Sequence, residues 1–246
     1  MTSVETSVRG AVGQILLNRP SVMNAVDLSL ASGLDDALVS LSRRAVVRVI
    51  VIRGAGGNFS AGGDFQEVSR LTAQGALDSL FTAFRSACSR IRTLDQPVVA
   101  VVEGVAMAGG FELVQAADIA LVHDDARLSD NHVNHGMVPG GGGSQRLPRL
   151  LGRNRALAHL LSGERLSGLD AERLGLAHRS FTPEDFETEV EAFVQRLASR
   201  DPVSLSTIKR LVYDGLDLPL DRGLDLEQGA VVAHIVSRFE AEEIVS

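Results

Sequence analysis

Apolar positions along the chain fall into two recurring patterns. Val12 to Leu17 is a short, nearly continuous apolar run ending in the turn-like Asn18-Arg19-Pro20, which predicts a buried strand. Behind Asp27, a residue suited to cap a helix, Leu30, Leu34, Leu38 and Leu41 return at helical spacing. Val46 to Ile52 repeats the strand pattern and ends in the glycine-rich turn Gly54-Ala55-Gly56-Gly57. Leu77, Leu80, Phe81, Phe84, Cys88 and Ile91 then mark a second amphipathic helix, and Val98 to Val102 the next strand. Continuous apolar strands separated by helices predict parallel βαβ units covered on both faces, so the expected class is α/β. From about Glu184 the pattern is helical only. Phe186, Val190, Phe193, Val194 and Leu197 form one stripe and Ile208, Leu211 and Val212 another, so the last third reads as a helical addition.

Composition narrows the function classes. The 246 residues carry a net charge of −7, which argues against nucleic-acid binding, since neutralising phosphates needs a basic face. No apolar run approaches the length that spans a bilayer, and MTSVETSVRG lacks the basic-then-apolar order of a secretory signal, so a cytoplasmic protein without membrane contact is expected. Cys88, the sole cysteine, excludes an internal disulfide and reads as a small buried hydrophobe. Lys209 is the sole lysine; all other basic side chains apart from histidine are arginine.

Two glycine-rich segments carry candidate chemistry. Asn58-Phe59-Ser60-Ala61-Gly62-Gly63-Asp64 follows a strand and its turn, and its glycines leave amide N–H groups uncovered. Gly104-Val105-Ala106-Met107-Ala108-Gly109-Gly110-Phe111-Glu112-Leu113 follows the strand at Val98 and opens a helix, where unsatisfied amides and the positive end of the dipole face any bound oxyanion. It lacks the spacing of a dinucleotide fingerprint and the Gly-Lys-Ser/Thr of a P-loop. Glu112 falls in the first helical turn, as a favourable charge or as a general acid or base. The run Gly140 to Gly143 after Pro139 is too short for a linker and suits a close backbone approach.

Together FSAGGD, GVAMAGGFEL, LNRPSVMNA and GMVPGGGGSQRLPRLLG, in this order, resemble the crotonase (enoyl-CoA hydratase/isomerase) superfamily over nearly the whole chain. The resemblance implies a spiral of ββα units over residues 1–190, with a helical oligomerisation region over 191–246. It also implies an acyl-CoA substrate, no cofactor beyond that coenzyme A, and a homotrimer or dimer of trimers; no metal site is expected, because no two histidines or carboxylates fall at ligand spacing in the marked segments. By the same resemblance the amides of Gly63 and Gly109 form an oxyanion hole for the thioester, and Ala61, Asp64, Phe65 and Gln66 lie against the substrate. Two convergent N–H donors stabilise an enolate, each worth on the order of 3 kcal/mol of barrier.

The flanking residues depart from the hydratase pattern, which has two glutamates. Glu112 matches the first; His132 occupies the second, within Leu128-Ser129-Asp130-Asn131-His132-Val133-Asn134-His135. Imidazole moves protons near neutral pH, so a Glu112/His132 pair suits hydration of an enoyl-CoA. A β-diketone hydrolase using His132, and an acyl-CoA-binding member without turnover, are the other readings. Gly109 and Gly141 stand where such hydrolases resemble one another in polar residues. Asp130 and His135 are candidate helpers. Ser21 replaces the basic residue that many relatives place near the CoA phosphates, which shifts that task to Arg19, Arg53 or an arginine of a neighbouring subunit. Ile244-Val245-Ser246 comes before the family's usual closing tail, and the pocket floor is expected from the loop around Glu67 to Gly75.

Overall fold

The computed structural model describes residues 2–245, with side chains through residue 240. β1 (Val4–Arg9) and β2 (Val12–Leu17) form an antiparallel hairpin. α1 (Leu28–Ser42) starts at Asp27, whose carboxylate accepts the Leu30 N–H at 2.7 Å, and leads to β3 (Val49–Gly54). That strand begins later than the apolar run suggests, and Val46 is exposed. α2 (Phe65–Ala73) and α3 (Leu77–Thr93) follow, then β4 (Val98–Val102) and β5 (Val105–Met107). Next come α4 (Gly109–Ala116), β6 (Ile119–His123), β7 (Arg127–Ser129) and a 3-10 turn at His132–His135. The remainder is α5 (Gly143–Leu151), α6 (Arg153–Ser162), β8 (Leu166–Ser167), α7 (Gly168–Leu174), β9 (Arg179–Phe181), α8 (Phe186–Ala198), α9 (Pro202–Leu216) and α10 (Leu220–Val245).

The main sheet runs β1-β2-β3-β4-β6-β9, with every pairing from β2 onward parallel; β5, β7 and β8 make a smaller sheet. Successive side chains of a strand point to opposite faces, so the apolar runs divide between two cores. Ile15, Ile50, Ile52, Val98 and Ala100 pack with the leucines of α1 and with Phe84, Cys88 and Ile91 of α3. Val12, Val49, Val51, Val99 and Val101 face the other way, against Phe186, Val190 and Val194 of α8. α8 thus continues the layering of the sheet across residue 190.

One expectation needs correction, and one helix face turns outward. Residues 67–73 belong to helix α2, not to a loop: Asp64 caps it by accepting the Gln66 and Glu67 N–H groups, and Leu71 is buried. The second C-terminal stripe does not join the core. Ile208 and Val212 are 60% and 55% exposed, while Ser206 and Lys209, on the opposite side of α9, are buried. Lys209 Nζ reaches Asp118 at 2.7 Å and donates to the carbonyls of Ile91 and Gln96; Tyr213 Oη donates to the same carboxylate at 2.8 Å. A polar knot therefore fastens α9, and its apolar face turns outward.

Candidate active site

The two glycine-rich loops are drawn together by single β-bridges, Val26 to Gly63 and Ser60 to Ala106. Ser60 N donates to Val105 O and Met107 N to Ser60 O, while Val26 N and Asp64 N fix both sides of Gly63 through Gly62 O and Val26 O. Ala108, at φ +45° and ψ −117°, turns the chain sharply into α4. This is a backbone region that non-glycine residues rarely occupy, held only where the surroundings impose it. Among the described residues, the N–H groups of Gly63 and Gly109 donate to no acceptor, and both residues line one cavity of about 360 Å³. A Cβ at Gly63 would meet nothing within 4 Å, so the side-chain position of that residue is open.

Glu112 stands in the first turn of α4, 2% exposed. The N–H groups of Gly141 and Gly143 donate to its Oε1, both at 2.8 Å, and added Cβ atoms at these two glycines would stand 2.8 and 3.2 Å from this carboxylate. Oε2 is left toward His132 Nε2, 3.9 Å away. That gap is too long for a direct hydrogen bond and short enough for one water oxygen to reach both. Burial raises the Glu112 pKa above the ordinary carboxylate value, against the Gly143 N–H bond and the nearby His132. On its far side, His132 Nδ1 meets Asp130 Oδ1 at 2.5 Å. Burial works against the imidazolium, yet the Asp130 hydrogen bond and the charges of Asp130 and Glu112 outweigh it and raise the His132 pKa.

Of the residues singled out from the sequence, Gly63, Gly109, Glu112, His132, Ala61 and Phe65 line the cavity together, and His135 packs edge-on to Phe65 with ring centroids 5.1 Å apart. Asp64 and Gln66 do not line it. Asp64 is spent on the α2 cap and on Arg19, 3.0 Å away, which keeps its carboxylate below the ordinary range despite burial. Most of the remaining wall is apolar, with Val68, Leu77, Leu80, Phe81, Phe84, Met137 and Val138, while Asn131 and His135 add polar groups. Met137 and Val138 lie in the GMVPGGGG motif, but the sequence did not mark them as cavity wall, because only the fold brings the Gly136 turn over the two loops. Arg19 is tied to Asp27 and Asp64, and Arg53 to Glu187 at 2.6 and 3.0 Å.

A sequence model of the enoyl-CoA hydratase/isomerase family matches residues 7–242. The chain belongs to the enoyl-CoA hydratase/isomerase family. It is 32% identical to a probable enoyl-CoA hydratase of Rhizobium meliloti over 92% of this chain and 86% of that one. It is 30% identical to a crotonyl-CoA hydratase of Syntrophomonas wolfei over 88% and 83%, respectively. Among solved structures, an enoyl-CoA hydratase from Polaromonas superposes with a TM-score of 0.92 at 27% identity, covering 98% of this chain and 95% of that one. One from Bacillus anthracis gives 0.90 at 29% identity, over 98% and 95%. The fold is therefore the crotonase spiral, built here on the parallel-rich sheet described above. Among the described residues no helix is long and apolar enough to cross a membrane.

Proposed function

We propose that this member of the family hydrates a 2-enoyl-CoA, with coenzyme A present only as part of the substrate and no separate cofactor. The observation that carries the reading is the meeting, in one largely apolar cavity, of two unpaired amides with the free faces of Glu112 and His132. The thioester oxygen sits between the amides of Gly63 and Gly109. Glu112 Oε2 takes a proton from water as the oxygen bonds to Cβ, and the π pair moves into an enolate held by those amides. Cα then takes the proton of His132 Nε2–H, and the proton on Glu112 returns to His132. Isomerisation would use the same enolate without the water. Burial makes Glu112 a stronger base than an ordinary carboxylate, which suits this task. With Arg19 and Arg53 both paired, the reading gives the CoA phosphates to an arginine of a neighbouring copy, consistent with a homotrimer or dimer of trimers. The buried single thiol fits a cytoplasmic setting.

The test is loss of the conjugated-thioester absorbance of crotonyl-CoA and longer enoyl-CoAs. Glu112→Gln is expected to lower kcat by about 10²–10⁴-fold. The pH profile is expected to be bell-shaped: activity rises as Glu112 loses its proton, above the ordinary carboxylate range, and falls as His132 loses its own, above the ordinary imidazole range. No turnover of any enoyl-CoA would remove the proposal.

A further inference from the structure

Asp130 follows β7 and is 1% exposed, deeper than the histidine it holds. Its Oδ1 meets His132 Nδ1 at 2.5 Å, whereas Oδ2 has no hydrogen-bond partner among the described residues. A carboxylate so buried is costly to leave without a partner, and His132 is the group within hydrogen-bond reach. The neighbouring backbone leaves room for this arrangement. A Cβ at Gly143 would stand 2.3 Å from Asp130 Oδ2, so the glycine whose N–H holds Glu112 also makes space for the second carboxylate.

Resting on the proposed reaction, we propose that Asp130 is a positioning residue that keeps the proton of His132 Nδ1 engaged and its Nε2 edge directed at Glu112 and the cavity. Asp130, His132 and Glu112 then act as one line of proton-handling groups. In the cycle above, His132 gives the Nε2 proton to Cα, stays hydrogen-bonded through Nδ1–H to Asp130, and is reprotonated at Nε2 from Glu112. Asp130 touches no reacting atom and neither gains nor loses a proton. The charged groups that act on His132 are Glu112 from α4 and Asp130 behind it; His135 lies on the same 3-10 turn, and Arg146 of α5 donates from Nη1 to Gly141 O at 2.6 Å.

The experiment is an NMR titration of histidine-labelled, ligand-free protein, with the His132 ring assigned by its loss in His132→Gln. In the parent protein the imidazolium is expected to persist above the ordinary histidine midpoint, and the neutral ring to carry its proton on Nδ1. In Asp130→Asn the midpoint is expected to fall by about one to three pH units. The alkaline limb of crotonyl-CoA hydration is expected to fall with it. An unchanged midpoint in a folded Asp130→Asn protein overturns the inference. If that variant does not fold, the parent spectrum still decides: an Nε2–H neutral ring, or a midpoint at or below the ordinary value, overturns it. Because the NMR arm needs no turnover, absence of hydration would strike the proposed reaction and leave the Asp130 result to be judged separately.

Discussion

At Gly62, φ is +93°, and an added methyl would stand 2.7 Å from both the Ala108 Cβ and the Met107 carbonyl oxygen. At Gly109 the same methyl would meet Phe84 at 3.5 Å and the Gly62 Cα at 3.8 Å, both ordinary contacts. The motif therefore divides its glycines by task. Gly62, with Gly110 against Ser60 O at 2.4 Å, lets the two loops approach, while Gly63 and Gly109 supply amides. Gly62→Ala is expected to cost more than about 2 kcal/mol in urea denaturation, from left-handed strain and overpacking. Gly109→Ala is expected to fold with a change within about 1 kcal/mol, since alanine is the better helix former there. Sequence alone named the amide positions through the motif, but it could not separate them from the packing glycines. That separation depends on the distance between segments some 45 residues apart. The same limit hid the link from Asp130 to His132: their spacing is plain, and the direction of the side chains is not.

Among the elements, α9 departs furthest from its amphipathic reading. Periodicity reports that a helix has an apolar face, not what covers it, and in α9 the body of the protein takes the polar face. Lys209 is the anchor, 6% exposed beside an Asp118 side chain 11% exposed. Burial lowers the Lys209 pKa and raises that of Asp118, so each needs the other to remain charged. Lys209→Met should leave Asp118 buried without its cation and cost about 3–5 kcal/mol. The double variant with Asp118→Asn should be milder than Lys209→Met alone, and urea denaturation of the set checks both. By contrast the first stripe, Phe186 to Leu197, was legible as a helix face, and it is covered because α8 lies on an apolar sheet face. The strands β2, β3 and β4 were legible for the complementary reason, since burial on both faces leaves few polar positions, Gln14 in β2 and Arg53 at the end of β3. The hairpin strand β1 was not, because its exposed face breaks the apolar run with Glu5, Thr6 and Ser7.

For the molecule as a whole, the outward faces of α9 and α10 expose Ile208, Val212, Leu216, Leu220, Leu224, Ile235 and Phe239. So much contiguous apolar surface on two consecutive helices is characteristic of a contact between chains. Sedimentation equilibrium is expected to show an assembly larger than a monomer, and Phe239→Glu combined with Ile208→Glu to shift it toward smaller species. A sedimentation mass of one chain at micromolar concentration would contradict this. Inside, Cys88 lies one turn beyond Phe84 on the helix that walls the cavity, and burial pushes its thiol up to about 12. A maleimide or disulfide reagent meets no accessible thiolate on the native protein, so the chain is silent to thiol labelling until α3 lifts from the sheet. The lone sulfur is thus a built-in clock for the opening of that wall, readable without adding any foreign label.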